Sequence, residues 1–183
     1  LANAERVLAE PYRGITTDGQ VRQGLFRPLI AGSTRPIHEA AEAFLASLSP
    51  EQREAACFPI DSLAWQKWSN IHPFTMHHGV LLEELDDARR ELAMQVLRAS
   101  LSARGFQTSR DIMKLNYTIG EITGSWEEYG DWVYWLSIFG TPSDSEPWGW
   151  QIDGHHLIIN CFVLGDAMVL TPVFMGSEPV HAL

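Results

Sequence analysis

Two runs of β-prone residues flank an Asp-Gly pair within residues 148–160. Because Asp-Gly between such runs is typical of a two-residue type I′ turn, Asp153 and Gly154 are predicted to form the tip of a β-hairpin, with Ile152 opposite His155. This register pairs Gln151 with His156 and gives the hairpin two faces. The predicted core face carries Trp148, Trp150, Ile152, His155, Leu157, Ile159 and Cys161, and the predicted polar face carries Gly149, Gln151, His156, Ile158, Asn160 and Phe162.

Two further strands are predicted around the hairpin. A tight turn at Gly165-Asp166 pairs Asn160 with Thr171, so Thr171 joins the polar face. Residues 132–139 alternate aromatic and aliphatic side chains as a strand does, and residues 140–147 form a loop. Because burying a large side chain is worth roughly 1.5 to 3 kcal/mol, Trp148 and Trp150 are interpreted as core residues.

Apolar residues spaced three and four apart predict helices before the sheet. Pro36 can occupy the first position of one helix, and Ser49-Pro50-Glu51-Gln52 has the sequence of a capping box that begins another. Asp61 is predicted to cap a short turn that places Trp65 and Trp68 on one side.

A longer helix is predicted from Asp86 to Ala103, with Gly105 as its C-terminal cap. The next helix is predicted to begin at Thr108 or Ser109 and to end at Gly124.

The order of these elements predicts an α+β fold, in which helices in the first two thirds pack on a C-terminal antiparallel β-meander. Residues 1–35 are expected to be an irregular segment, with a short helix over 1–10 followed by a loop or small hairpin. The helical part covers residues 36–125 and the sheet covers 131–176. A length of 183 residues suits a single α+β domain over 1–183.

The composition of the chain argues against two classes of partner. A net charge of −10 without a basic run argues against nucleic acid, and the absence of an apolar stretch of ~20 residues argues against a membrane span. Cys57 and Cys161 lack metal-type spacing and are expected to be buried free thiols, which favours a reducing cytoplasm. A signal peptide that has been removed stays open as an alternative.

Several segments carry a resemblance to a known family. They include Phe139-Gly140-Thr141-Pro142, Pro147-Trp148-Gly149-Trp150, Gly154-His155-His156-Leu157 and the run from Thr171 to Pro179. Together they resemble the family known as domain of unknown function 3500, and matches at 14–19, 40–45, 48–53 and 101–105 extend the resemblance over nearly the whole chain. The resemblance implies no settled activity. It implies a longer protein with a further half containing a His-x-His stretch, and an Arg before the glycine that is Gly79 here, where this chain has His78.

Of seven histidines, His155 and His156 stand out because they are adjacent and anchored by the turn. On the core face, His155 is better explained as a neutral core histidine than as a ligand. On the polar face, His156 lies with Gln151, Asn160 and Thr171, where a general base or metal ligand and a plain exposed residue are equally well supported. His72, on a predicted loop beside Asn70, is the best remote partner.

A zinc or iron site needs three or four ligands. His155 and His156 are the metal candidates, although neighbours on a regular strand point to opposite faces and could not share one ion. The remaining ligands are then expected from the missing half or another subunit. His77 and His78 are interpreted as surface residues.

Two functions remain open. The first is an enzyme of the hydrolase or lyase type, with or without a divalent transition metal, in which His156, His155 and His72 act on a small polar molecule oriented by Gln151, Asn160, Thr171 and Asn70. The second is a non-catalytic binding or assembly module. Motifs for a nucleophilic elbow, a phosphate loop or a dinucleotide site are absent from the sequence. Since neither outer strand carries a charged residue that protects an edge, we expect a homo-oligomer or association with the remainder of the same protein.

Overall fold

The computed structural model describes residues 2–10, 20, 29–30, 32–71 and 77–179. Most of the predicted N-terminal loop or hairpin therefore lies outside the described residues, and so does His72.

Five helices and seven strands are assigned within these ranges. The helices are α1 (Ala2–Leu8), α2 (Arg35–Ser47), α3 (Pro50–Ala56), α4 (Asp87–Ser100) and α5 (Ala103–Thr123), with 3-10 helices at Leu63–Gln66 and Leu82–Glu84. The strands are β1 (Leu29–Ile30), β2 (Cys57–Phe58), β3 (Val80–Leu81), β4 (Tyr134–Phe139), β5 (Trp148–Gly154), β6 (Leu157–Leu164) and β7 (Ala167–Met175). None of the described helices is long and apolar enough to cross a membrane.

Local signals set several helix ends. The capping box before α3 is confirmed, because the Gln52 amide N–H donates to the Ser49 hydroxyl and the Ser49 N–H donates to the Gln52 side chain. Gly124 ends α5 in a left-handed conformation with φ 74°, as predicted. The 3-10 helix before Trp68 is capped by Ser62 rather than Asp61.

The boundary between α4 and α5 was predicted wrongly. Leu101 is extended and ends α4, and the Ser102 hydroxyl accepts the Gly105 N–H at 3.1 Å as the cap of α5. Gly105 therefore lies in the first turn of α5 and does not end α4. Here the serine hydroxyl, which can accept the amide N–H three residues later, marks the helix boundary, and the glycine does not.

The sheet has the order β1-β7-β6-β5-β4-β2, with β3 also paired to β4. Its main strands form the predicted antiparallel meander, and the α+β class is confirmed, but β2 runs parallel to β4. Strand β4 was predicted to leave an unpaired edge of the sheet. This is wrong, because β2 and β3 together pair along β4. Within the described ranges, β1 pairs with β7 only at Ala167 and Met168.

The hairpin exists, but its turn lies two residues later than predicted. Gly154 pairs with Leu157 and Gln151 pairs with Asn160, so His155 and His156 form the turn. A glycine is required at position 154 for a reason other than the turn, because a Cβ there would lie 2.2 Å from the Tyr134 ring. The partner of each β5 residue moves by four positions, an even number, so the division into two faces is unchanged for the strand residues.

The core face is covered by α2 and α4, as predicted. Trp148 and Trp150 are fully buried in a cluster that includes Phe44 of α2 and Leu97 of α4. The Trp150 indole N–H donates to the Ser100 hydroxyl at 3.0 Å, which satisfies its polar atom inside the core.

Candidate functional site

The turn of the β5–β6 hairpin brings His155 and His156 side by side. His156 adopts φ 59°, which is uncommon for a non-glycine residue, and two backbone hydrogen bonds hold it there. Its N–H donates to the Asn70 carbonyl at 3.2 Å, and its carbonyl accepts the Gly176 N–H at 2.9 Å. The two imidazoles stack with centroids 4.0 Å apart. The expectation that they point to opposite faces is wrong, because it holds for a strand and not for a turn.

Glu178 completes a three-residue cluster with the two histidines. Its Oε2 lies 2.9 Å from Nε2 of His156 and 3.4 Å from Nε2 of His155. One ligand-type atom from each residue lies within 4.8 Å of the others. His155 is 4% exposed, whereas Glu178 is exposed, so the cluster sits at the surface on a buried base. A third candidate ligand thus comes from this chain itself, where the sequence pointed to another half or subunit.

Asn116 of α5 sets the tautomer of His155. The Asn116 amide nitrogen donates to the Gly130 carbonyl at 2.8 Å, so its oxygen faces Nδ1 of His155 at 3.0 Å. An amide oxygen only accepts, hence Nδ1 carries the hydrogen and the neutral ring keeps its lone pair on Nε2. The Tyr134 hydroxyl also donates to the His155 carbonyl at 2.9 Å. The bond from the ring Nδ1–H to an amide oxygen is the kind of contact that orients histidines in metal sites.

Two distances in the cluster can be compared with those of a metal centre. In a tetrahedral zinc site with bonds of about 2.1 Å, ligand atoms lie about 3.4 Å apart. The distance of 3.4 Å from Glu178 to His155 matches this value, and the distance of 2.9 Å from Glu178 to His156 is shorter and has the length of a hydrogen bond. The lone pair of His155 and the carboxylate of Glu178 are both acceptors. A proton or a cation between them is therefore needed for a favourable contact.

Most of the polar face of the hairpin is buried, including Gln151 and Asn160, whereas Phe162 is exposed. Gln151 is inaccessible, and its amide nitrogen donates to Asn160 Oδ1 at 2.5 Å and to the Trp65 carbonyl at 3.2 Å. The Gln151 oxygen lies 2.7 Å from Nε2 of His78, so the interpretation of His78 as a surface residue is wrong. His77 is exposed and stacks on Trp135.

The space left by Gly149 is filled by an aromatic ring. A Cβ on Gly149 would lie 2.9 Å from the Trp65 ring, which itself stacks on Phe139 with centroids 3.8 Å apart. The segment between β2 and Asn70 therefore lies over this face and hides its glycine.

A groove of about 900 Å³ lies beside this segment. Its lining consists of Val7, Leu8, Glu10, Trp65, Gln66, Trp68, Asn160, Phe162, Thr171 and Pro172. Thr171 and Pro172 both lie opposite Asn160 in a β-bulge, and the Asn160 amide donates to the Pro172 carbonyl at 2.9 Å. The bulge places both β7 residues on the groove side.

The predicted site residues thus fall into two places. Asn160 and Thr171 line the groove, and Gln151 lies beneath it. His155, His156 and the Asn70 carbonyl meet at the hairpin tip. His72 lies outside the described residues.

Asp153 is a buried residue that connects the groove side of the hairpin with its tip. Predicted as a turn residue, it is instead buried in β5, and its carboxylate accepts the Ser69 N–H at 3.2 Å. Burial raises the pKa of Asp153 to about 7, against the opposing effect of that hydrogen bond. The segment of Ser69 and Asn70 is therefore bound to Asp153 on one side and to His156 on the other.

Sequence reasoning missed Glu178 and Asn116. Neither stands at a metal-ligand spacing from the histidine pair, since they lie 22 and 39 residues from their partners. The one available signal was that Glu178 belongs to the segment from Thr171 to Pro179, which carried the family resemblance.

One comparison with known proteins identifies a family. The family described as "Protein of unknown function (DUF3500)" matches residues 31–183. No curated protein and no solved structure matches the chain.

Proposed function

The chain belongs to the DUF3500 family, and from that premise and the geometry of the hairpin tip we propose that it is a metal-dependent enzyme of the hydrolase or lyase type acting on a small polar molecule. His155, His156 and Glu178 would bind one divalent transition metal ion. His156 is thereby assigned as a ligand rather than a free base.

The observation that carries this proposal is the convergence of three side chains of the metal-binding type, with an oriented histidine among them. One imidazole nitrogen from each histidine and one carboxylate oxygen of Glu178 lie within 4.8 Å of one another. Two histidines and one carboxylate are a donor set used by catalytic zinc sites and by non-haem iron enzymes. Asn116 holds His155 with its lone pair facing the cluster, so no reorganisation of that ring is needed for binding.

Three protein ligands leave a position open for water. A metal ion supplies charge that lowers the pKa of a bound water towards neutrality and polarises a carbonyl of the substrate. The chain contributes the fixed ring of His155 and the exposed carboxylate of Glu178. The buried base beneath the cluster excludes water from one side.

Metal binding can be tested directly. Elemental analysis of untagged protein purified without chelator is expected to show a transition metal, and adding zinc, iron or manganese to stripped protein should raise its melting temperature. His156→Ala and Glu178→Gln should each weaken binding by at least ~10-fold, since each removes one of three ligands. His77→Ala is the matched control, because His77 is exposed and lies outside the cluster.

Two outcomes would contradict the metal site. One is untagged protein without metal that shows no thermal shift with any of the three ions. The other is His156→Ala protein that binds zinc as tightly as the His77→Ala control.

A non-catalytic assembly module is the second candidate, favoured by the outer end of β7. Val173, Phe174 and Met175 are exposed there, at 37–45% of their surface. A second copy of the chain paired along this edge would cover them.

The free thiols of Cys57, which is half-buried, and Cys161, which is buried, support the proposal of a reducing cytoplasm.

A further inference from the structure

We infer that the groove between the Trp65–Trp68 segment and the β6–β7 bulge is the substrate-binding site, and that it takes an uncharged molecule with a flat ring face. This inference rests on the proposed function, since it names the substrate class of the metal cluster.

Rigid aromatic surface is the first observation. The Trp65 ring is fixed by stacking on Phe139 and by its indole N–H, which donates to the Ile60 carbonyl at 2.9 Å. Phe162 extends from β6 into the same groove and is 38% exposed. Trp68 lines it as well. Aromatic rings that line a concavity bind flat apolar faces, and little side-chain entropy is lost when the rings are already fixed.

Charge is the second observation. Among the described lining residues there is no lysine or arginine, and the one charged side chain is the Glu10 carboxylate, which is already paired with Arg6 at 2.9 Å. An anionic substrate would lose its hydration there without gaining a cationic partner. The Thr171 hydroxyl and the Gln66 amide remain as polar contacts for a hydroxyl or carbonyl on the ligand. The described lining therefore favours an uncharged ligand over a carboxylate or a phosphate.

Continuity with the metal cluster is the third observation. Strand β7 lines the groove at Pro172 and reaches Gly176, which bonds to the His156 carbonyl, about 13 Å further on at ~3.3 Å per residue. Between them, the Phe174 ring lies 6.1 Å from the His156 ring. Trp68 likewise lines the groove two residues before Asn70, which accepts the His156 N–H. The groove and the cluster are therefore built on the same two chain segments, residues 68–70 and 172–176.

The test uses the full chain after treatment with chelator, so that it reports on the groove alone. Tryptophan fluorescence and calorimetry follow binding of 2-naphthalenemethanol, cellobiose and 2-naphthoate. The two uncharged probes present an aromatic and a sugar ring face, and whichever binds more tightly identifies the source of that face. We expect at least one of them to bind, and 2-naphthoate to bind at least ~10-fold more weakly than its neutral analogue.

Variants locate the binding. Phe162→Ala removes an aromatic wall and Thr171→Trp fills the groove, so each should weaken binding of the neutral probe by ~10-fold or more. Thr108→Trp is the matched control, because Thr108 is exposed on α5 and is not part of the lining. If Thr171→Trp fails to fold, Phe162→Ala, which shortens an exposed side chain, carries the test.

The inference is overturned if neither uncharged probe binds, if 2-naphthoate binds as tightly as the alcohol, or if Phe162→Ala binds the neutral probe like the control. These results are separate from those for the metal. Loss of zinc binding in His156→Ala with unchanged binding of the neutral probe confirms that the two measurements report on different sites. A wild-type chain that binds the probe but no metal refutes the proposed function and leaves the groove as a binding site.

Discussion

Replacing Asp153 by Asn should change how the stability of this protein depends on pH. Asp153 is 4% exposed in the middle of the sheet, and its carboxylate has one amide donor, from Ser69. Burial raises the pKa of Asp153 in the folded protein to about 7, from an ordinary value of 3.8. An asparagine keeps the shape and can accept the same N–H, but it never ionises.

The magnitude follows from linkage. A shift of about 3 pKa units corresponds to about 4 kcal/mol, at 1.36 kcal/mol per unit. Because the folded pKa is raised, the carboxyl costs nothing below the unfolded pKa, where it is protonated in both states. Its contribution to the free energy of unfolding then falls as the pH rises from about 4 to about 7. Above that range the wild type has lost the full amount.

Urea unfolding from about pH 4 to about pH 8 measures this. The free energy of unfolding of Asp153→Asn, minus that of the wild type, should rise with pH by roughly 4 kcal/mol over this range, whatever its offset at low pH. Asp166→Asn, at an exposed position on the β6–β7 turn, is the control and should differ by no more than ~0.5 kcal/mol throughout. A difference for Asp153→Asn that stays flat with pH would refute the reasoning.

Two further predictions concern packing and assembly. Trp150→Ala should lower the free energy of unfolding by about 3–5 kcal/mol and the melting temperature by roughly 6–20 °C, because the ring is fully buried and donates to Ser100. Trp126→Ala, at a half-exposed tryptophan, is the control and should cost no more than ~1.5 kcal/mol. A reversed order of the two melting temperatures would contradict the assignment of the core face. Light scattering at micromolar concentration is expected to show a dimer associated through the outer edge of β7, and a strictly monomeric species of 20.6 kDa would rule that out.

Helix caps, turns and the buried face of a strand could be predicted without knowledge of the tertiary structure. The capping box at Ser49 and Gln52, the left-handed cap at Gly124 and the turn at Gly165 each depend on residues within a few positions of one another. The burial of Trp148 and Trp150 followed from alternation along one strand. Such features survive because the interactions that create them are complete within a single element.

The site depended on contacts between elements. The turn moved from Asp153 and Gly154 to the histidines because β4 pairs with β5 as far as Gly154, where the Tyr134 ring leaves no room for a Cβ. That move turned two residues of opposite faces into stacked neighbours. Side-chain alternation could not reveal it, since the pairing partner that shifts the turn lies 20 residues upstream.

The sequence by itself determined the α+β class and the two faces of the hairpin strands. Tertiary structure alone decided that Glu178 and Asn116 meet His155, and that the segment around Trp65 buries Gln151. The physical reason is range. Alternation and caps are set by neighbouring residues, whereas a cluster of ligand atoms needs separate parts of the chain brought together by burying apolar surface, which is nondirectional and leaves no spacing rule in the sequence.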